Sequence, residues 1–177
     1  SRFLSLQAQA RRSALTATIA DTARFSFRSL DEAHALAAFL ANTCPNPDAA
    51  MTGFSELLIN AVEHGNLAIT YDEKSTLRAE GRWDAEVEHR LRLPEYRDRR
   101  VVVEFERSLD GIAVCIVDQG CGFDWRRYLS FDPARAMDNH GRGIAMAKAF
   151  SFDSLDYRGA GNEVVVLVRT AQKALAA

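Results

Sequence analysis

Cysteine is scarce: Cys44, Cys115 and Cys121 are the only three in 177 residues, and no CxxC pair occurs. An odd count at these spacings argues against a disulfide framework or a zinc site and reads as reduced thiols in a cytoplasmic protein. Long apolar runs are missing too, which speaks against a membrane span. Charge of one sign is absent as well: the net charge is −2, giving no global argument for nucleic acid or membrane binding. The opening "SRFLSLQAQA" has neither an initiator Met nor the apolar core of a signal peptide, so a fragment of a longer chain is expected. No repeat, no low-complexity tract and no GxxxxGK[ST] phosphate loop occurs.

What is present suits one domain with its own core, since 47% hydrophobic and 26% charged residues are ordinary for a globular chain. Residues 1–20 read as a helical extension or linker, 21–170 as the domain and 171–177 as a tail. "ARFSFRS" (23–29) alternates as a strand does. A helix follows, with Ser29 or Asp31 as its cap and acids in its first turn. "CPNPD" is a turn, Asp48 is the expected cap of the next helix, and Gly65 is its expected stop. Residues 70–100 are dominated by charge and read as exposed helical pieces broken at Gly81 and Pro94, an insertion with a mainly solvated face. "VVVEFERS" and "IAVCIVD" flank an Asp-Gly hairpin signal. "FDSLDYR" and "NEVVVLVRT" add strands after the helix "GRGIAMAKAF". The predicted class is α+β: a two-layer sandwich with a mixed, mostly antiparallel sheet covered on one face by helices.

Within "FSELLINAVEHGN" (54–66), Glu56, Asn60 and His64 recur every four residues beside an apolar face. They therefore form one polar stripe on a helix, although Asn is a poor interior residue there. Two glycine clusters follow. "DQGCGFD" (118–124) comes directly after a strand, and "NHGRGIAMAK" (139–148) runs into a helix. Glycines let a backbone approach a ligand closely. A helix opening on Gly-Arg-Gly offers free N–H groups and a guanidinium to an anion. Asp118 is an acceptor suited to an exocyclic amine. Strand, glycines and helix do not form one βαβ unit, so this is not a dinucleotide fingerprint.

Glu56-x3-Asn60, Asp118-x-Gly120-x-Gly122 and Gly141-x-Gly143, in this order, resemble the ATP-binding domain shared by gyrase, the heat-shock chaperone, histidine kinases and the mismatch-repair ATPase. Within that superfamily the chain is most similar to the anti-sigma-factor serine/threonine kinases, whose asparagine box continues into a "HG" like Glu63-His64-Gly65. The resemblance spans residues 21–170 and implies ATP and Mg²⁺ as cofactors. It implies Asn60 as the Mg²⁺ ligand and Glu56 as general base. Asp118 would accept from adenine N6, and Gly120 and Gly122 would make room for the base and a lid over 124–140. Gly141, Arg142 and Gly143 would cradle phosphate, while His140 reads first as an ordinary residue of the lid, with a phosphate contact as the lesser alternative. Family members often carry Gly-Thr before the last strand; here Gly161-Asn162-Glu163 stands there, with Asn162 as the residue near the base. The implied substrate is a serine on an anti-sigma-factor antagonist protein, with a sigma factor and a second copy of the chain as further partners. Two alternatives stand beside the kinase: an anti-sigma factor acting as a binding module, and a histidine kinase catalytic domain. His34 and His89 read as ordinary helix residues, and Trp83 and Trp125 as packing anchors.

Overall fold

The computed structural model describes residues 21–128 and 142–170. Five strands form one sheet: β1 (Thr22–Phe27), β2 (Val101–Arg107), β3 (Gly111–Val117), β4 (Ser154–Arg158) and β5 (Glu163–Arg169), in the order β1-β2-β3-β5-β4. Every pairing is antiparallel, so the parallel component that a mixed sheet allows is absent among the described strands. Register follows the alternation of the sequence. Val103 stands opposite Ile116 and Phe105 opposite Val114, while Cys115 stands opposite Val165 on the other face. Val101, Val103, Phe105, Ile112, Val114, Ile116, Val164 and Val166 all point into the core. A one-residue slip would turn that whole set outward, which fixes the register.

The helices lie on that apolar face: α1 (Leu30–Ala41), α2 (Pro47–Asn60), α3 (Tyr71–Ala79), α4 (Trp83–Arg90) and α5 (Arg142–Phe150). Ser29 caps α1 in a reciprocal capping box with Glu32, and Ala33, Leu36, Ala37 and Leu40 form its buried stripe. Asn46, not Asp48, caps α2: its side chain accepts from Ala49 N–H. Pro47 explains the shift, because proline lacks an N–H and its fixed φ suits the first helical position. Phe54, Leu57 and Leu58 of α2 are fully buried, and the Phe54 ring meets Phe152 edge-on at 5.0 Å. Burying each such side chain contributes about 1.5–3 kcal/mol.

Gly65 does not stop the helix. The chain widens into a π-turn over Ala61–Asn66, in which Leu67 N–H donates to Val62 O five residues back. Ala68 follows with φ 52°, and Arg90 of α4 reaches back to hold the Leu67 and Ala68 carbonyls, each at 3.0 Å. Hence the helices of residues 70–100 are more than a solvated face. Val87 and Leu91 are buried, and Trp83 packs against the core under Lys74 and Arg78. Among the described residues, no helix is long and apolar enough to cross a membrane.

Candidate active site

The polar stripe of α2 emerges at a cleft of about 460 Å³ between the helix layer and one end of the sheet. Its floor is apolar, formed by Leu57, Ala61, Ile116, Ile144 and Val164, and its polar groups are few: Asn60, His64, Asp118, Asn162 and Arg99 lead them. Such a cavity suits a flat apolar ligand with a small number of fixed hydrogen bonds.

Asn60 lines the cleft, and Glu56 stands beside it on α2. One turn apart, they touch: Asn60 Nδ2 donates to Glu56 Oε1 at 2.8 Å. That contact fixes the amide's orientation and leaves its carbonyl oxygen as the atom free to face a cation. Glu56 also lies against the start of α5, where a Cβ built on Gly143 would sit 1.9 Å from Glu56 Oε1. Gly143 is thus a contact point for the carboxylate, near backbone N–H groups that favour negative charge. Arg142 and Gly143 open α5, whereas Gly141, His140 and most of the expected lid lie outside the described residues, as do residues 1–20 and 171–177.

A second part of the site is built around Asp118, which follows the C-terminal residue of β3. Its backbone exchanges a pair of bonds with Asn162: Asp118 N–H donates to Asn162 O at 3.0 Å, and Asn162 Nδ2 donates to Asp118 O at 3.3 Å. Asn162 therefore spends its amide nitrogen on tying β5 to β3. Asp118 Oδ1 accepts from Gly120 N–H at 2.7 Å, which leaves the second carboxylate oxygen for a ligand. Burial pushes the Asp118 carboxyl up to about 6, against the Gly120 hydrogen bond and the Arg99 charge, which both lower it. Gly120 packs on the Gly65 carbonyl, and Gly122, at φ 76°, packs on the Ala160 carbonyl. Both glycines hold the loop close enough to line the cleft.

Several residues around the site have parts that the motifs did not assign. Gly65 is a close approach to Asp118, with no room for a side chain. Asn66 is buried, and its Oδ1 accepts from Gln119 N–H at 2.7 Å, clamping the loop after β3 to the π-turn. Glu63 is buried and paired with Lys74 of α3. Burial raises its carboxyl above the ordinary value, and the Lys74 ammonium opposes that. Tyr71, Glu95, Tyr96 and Arg99 come from the 70–100 segment and line the cleft, and the Tyr71 ring lies 3.9 Å from that of His64. The segment expected to be solvated is a wall of the site. His34 and His89 are exposed, as expected.

The donors fit an adenine nucleotide with Mg²⁺. Gly65, Gly120 and Gly122 let the segments around Asp118 pack closely on one another, and Asp118 has one carboxylate oxygen outside its bond to Gly120 N–H. Asn60 offers a single neutral oxygen, and no cluster of three or more His, Cys, Asp or Glu among the described residues forms a metal cage. Mg²⁺ favours this situation, with one or two protein oxygens and the rest from phosphate and water.

The family model for the histidine kinase-like ATPase domain matches residues 33–168. No curated protein matches the chain.

Proposed function

The chain belongs to the histidine kinase-like ATPase domain family, and on that premise we propose that it is a Mg-ATP-dependent serine/threonine kinase of the anti-sigma-factor type. Its substrate would be a serine on an anti-sigma-factor antagonist in a partner-switching pathway. The observation that carries the reading is the Glu56–Asn60 pair: a carboxylate and an amide bonded at 2.8 Å, with Asn60 lining the same cleft as Asp118. The asparagine box running on into Glu63-His64-Gly65 supports the anti-sigma type over the histidine kinases.

Bound Mg-ATP supplies the γ-phosphoryl group and its charge neutralisation. The chain's own residues do the rest. Asp118 accepts from the exocyclic amine and sets the position of the base. Asn60 would hold the metal by its carbonyl oxygen, and its amide nitrogen holds Glu56. Glu56 would take the proton of the serine hydroxyl as the serine oxygen bonds the γ-phosphorus and the bond to the β–γ bridging oxygen breaks, releasing ADP, a role worth roughly 10²–10⁴ in rate. The base end rests on the sheet layer and the reacting end on α2, so the cleft spans the two layers.

The experiment is ATP titration with and without Mg²⁺, followed by transfer from labelled ATP to a candidate antagonist. Asn60→Ala is expected to abolish the Mg²⁺-dependent part of binding. Glu56→Gln keeps an acceptor for the Asn60 amide, so it is expected to bind ATP normally and to lose roughly 10²–10⁴ in transfer. Binding without label on any antagonist favours the partner-binding module instead. No ATP binding by the wild type removes the site assignment.

A further inference from the structure

Arg99 lines the cleft together with Asp118, yet the reading above gives it no task. It comes from the stretch that returns from the 70–100 helices into β2. An arginine side chain loses much rotamer freedom when it is fixed, and this one is fixed twice. Its Nη1 donates to Asn66 O at 3.0 Å, and its guanidinium lies 5.0 Å from the centre of the Tyr96 ring. Asn66 is also the residue that clamps Gln119, the neighbour of Asp118. One buried residue therefore holds both: its backbone carbonyl accepts from Arg99 and its side-chain oxygen accepts from the Asp118 loop. Asp118 already spends one oxygen on Gly120 N–H, so recognition of an amine depends on its other oxygen remaining an acceptor.

We propose that Arg99 is a positioning residue for base recognition: held by Asn66 and Tyr96, its guanidinium keeps the Asp118 carboxylate charged and open to the exocyclic amine of an adenine base. The proposal rests on the adenine-nucleotide reading of the cleft. Burial works against the charged form of Asp118; the Gly120 N–H bond opposes it most, and Arg99 is the cation that adds to that opposition. Removing that charge lets burial dominate further. The other titratable side chains lining the cleft are His64, Tyr71, Glu95, Tyr96, Cys121 and Tyr157. None of them is a fixed cation like Arg99.

The test follows the carboxyl carbon of Asp118 by NMR against pH in the full chain without nucleotide, assigned with Asp118→Asn. Arg99→Gln is expected to move the titration midpoint up by about 0.5 pH unit or more, and Arg99→Lys to leave it near the wild type. Tyr96→Leu, which loosens the anchor but keeps the charge, is expected to give a smaller upward move. Adenosine, which carries no phosphate to titrate, is then the binding probe. Its affinity for Arg99→Gln is expected to fall roughly threefold near pH 5 and roughly 1.5-fold near pH 6.5, and to converge on the wild type at high pH. An unmoved midpoint in an Arg99→Gln protein that melts like the wild type overturns the proposal. So does an affinity lowered by the same factor at every pH, as loss of a merely structural contact would give. A wild type that binds neither adenosine nor Mg-ATP overturns the kinase reading itself. That result is distinguishable, because failure of Arg99 alone leaves wild-type binding intact.

Discussion

Gly65 and Asp118 are in contact across the two layers: a methyl group on Gly65 would lie 2.4 Å from Asp118 Cγ and within 2.7 Å of both its oxygens. The carboxylate cannot swing aside without losing Gly120 N–H. Gly65→Ala is therefore expected to weaken nucleotide binding about tenfold or more, equivalent to about 1.4 kcal/mol. Calorimetric titration checks it, and an unchanged affinity would show that the contact is dispensable.

Asp118→Asn separates stability from binding. The folded-state pKa of Asp118, about 6, lies above its unfolded value of 3.8, so folding favours the neutral acid. That contribution is fully present below the unfolded value and is lost as pH rises through about 6, a loss of at most about 3 kcal/mol at neutral pH. Asparagine is neutral throughout. Ligand-free Asp118→Asn is expected to melt a few degrees above the wild type at pH 7.5 and to converge with it near pH 4. Its amide can still accept from Gly120 N–H, but then turns a donor toward the base amine, and nucleotide binding is lost. Thermal melts at the two pH values, with one ATP titration, decide the matter.

Gly143→Ala is expected to spare the fold and damage the chemistry. The atoms in its way are the carboxylate of Glu56, the far end of a flexible side chain, which can move at little cost. Moving it breaks the 2.8 Å bond to Asn60. Transfer should fall at least tenfold, with a melting temperature close to that of the wild type. A variant with full activity would mean that Glu56 acts from another position.

Lys74→Met leaves Glu63 buried without its cation. Breaking a buried pair in this way costs roughly 3–5 kcal/mol. The Glu63 carboxyl is raised by burial, so its neutral form is the one the fold prefers. The damage should be greatest above neutral pH and shrink as acid protonates Glu63. Denaturant melts across pH test this. Adding Glu63→Gln to Lys74→Met should recover much of the loss, and a double variant no better than the single would refute the account.

Much of the architecture was legible in the residues because its signals are local. The β-rich runs "VVVEFER" and "IAVCIV" around an Asp-Gly turn marked strands, Ser29 or Asp31 marked a helix start that the structure resolves to Ser29, and the four-residue spacing of Glu56 and Asn60 put base and amide on one side of a helix. Gly65 misled for a physical reason. A glycine after an apolar helix usually marks its end, and only the long-range approach of Asp118 reveals why this one sits inside a π-turn. The charged stretch from 70 to 100 misled in the same way. Lys74, Arg90 and Arg99 look solvated in sequence, since the groups they meet (Glu63, the carbonyls of Leu67 and Ala68, and that of Asn66) are distant or belong to the backbone. Arg99 itself carried no motif.

Asp118 is carried by the sheet and Glu56 by α2, so the span between base acceptor and proton acceptor is set by how the two layers rest on one another. The cleft behaves as a caliper whose jaws are α2 and β3 and whose hinge is the packing of Phe54 on Phe152 and of Leu57 and Leu58 beneath them. Core substitutions remote from any ligand, such as Phe152→Leu, should thus be read out as a changed gap between the jaws, and turnover is the quantity most sensitive to so small a displacement.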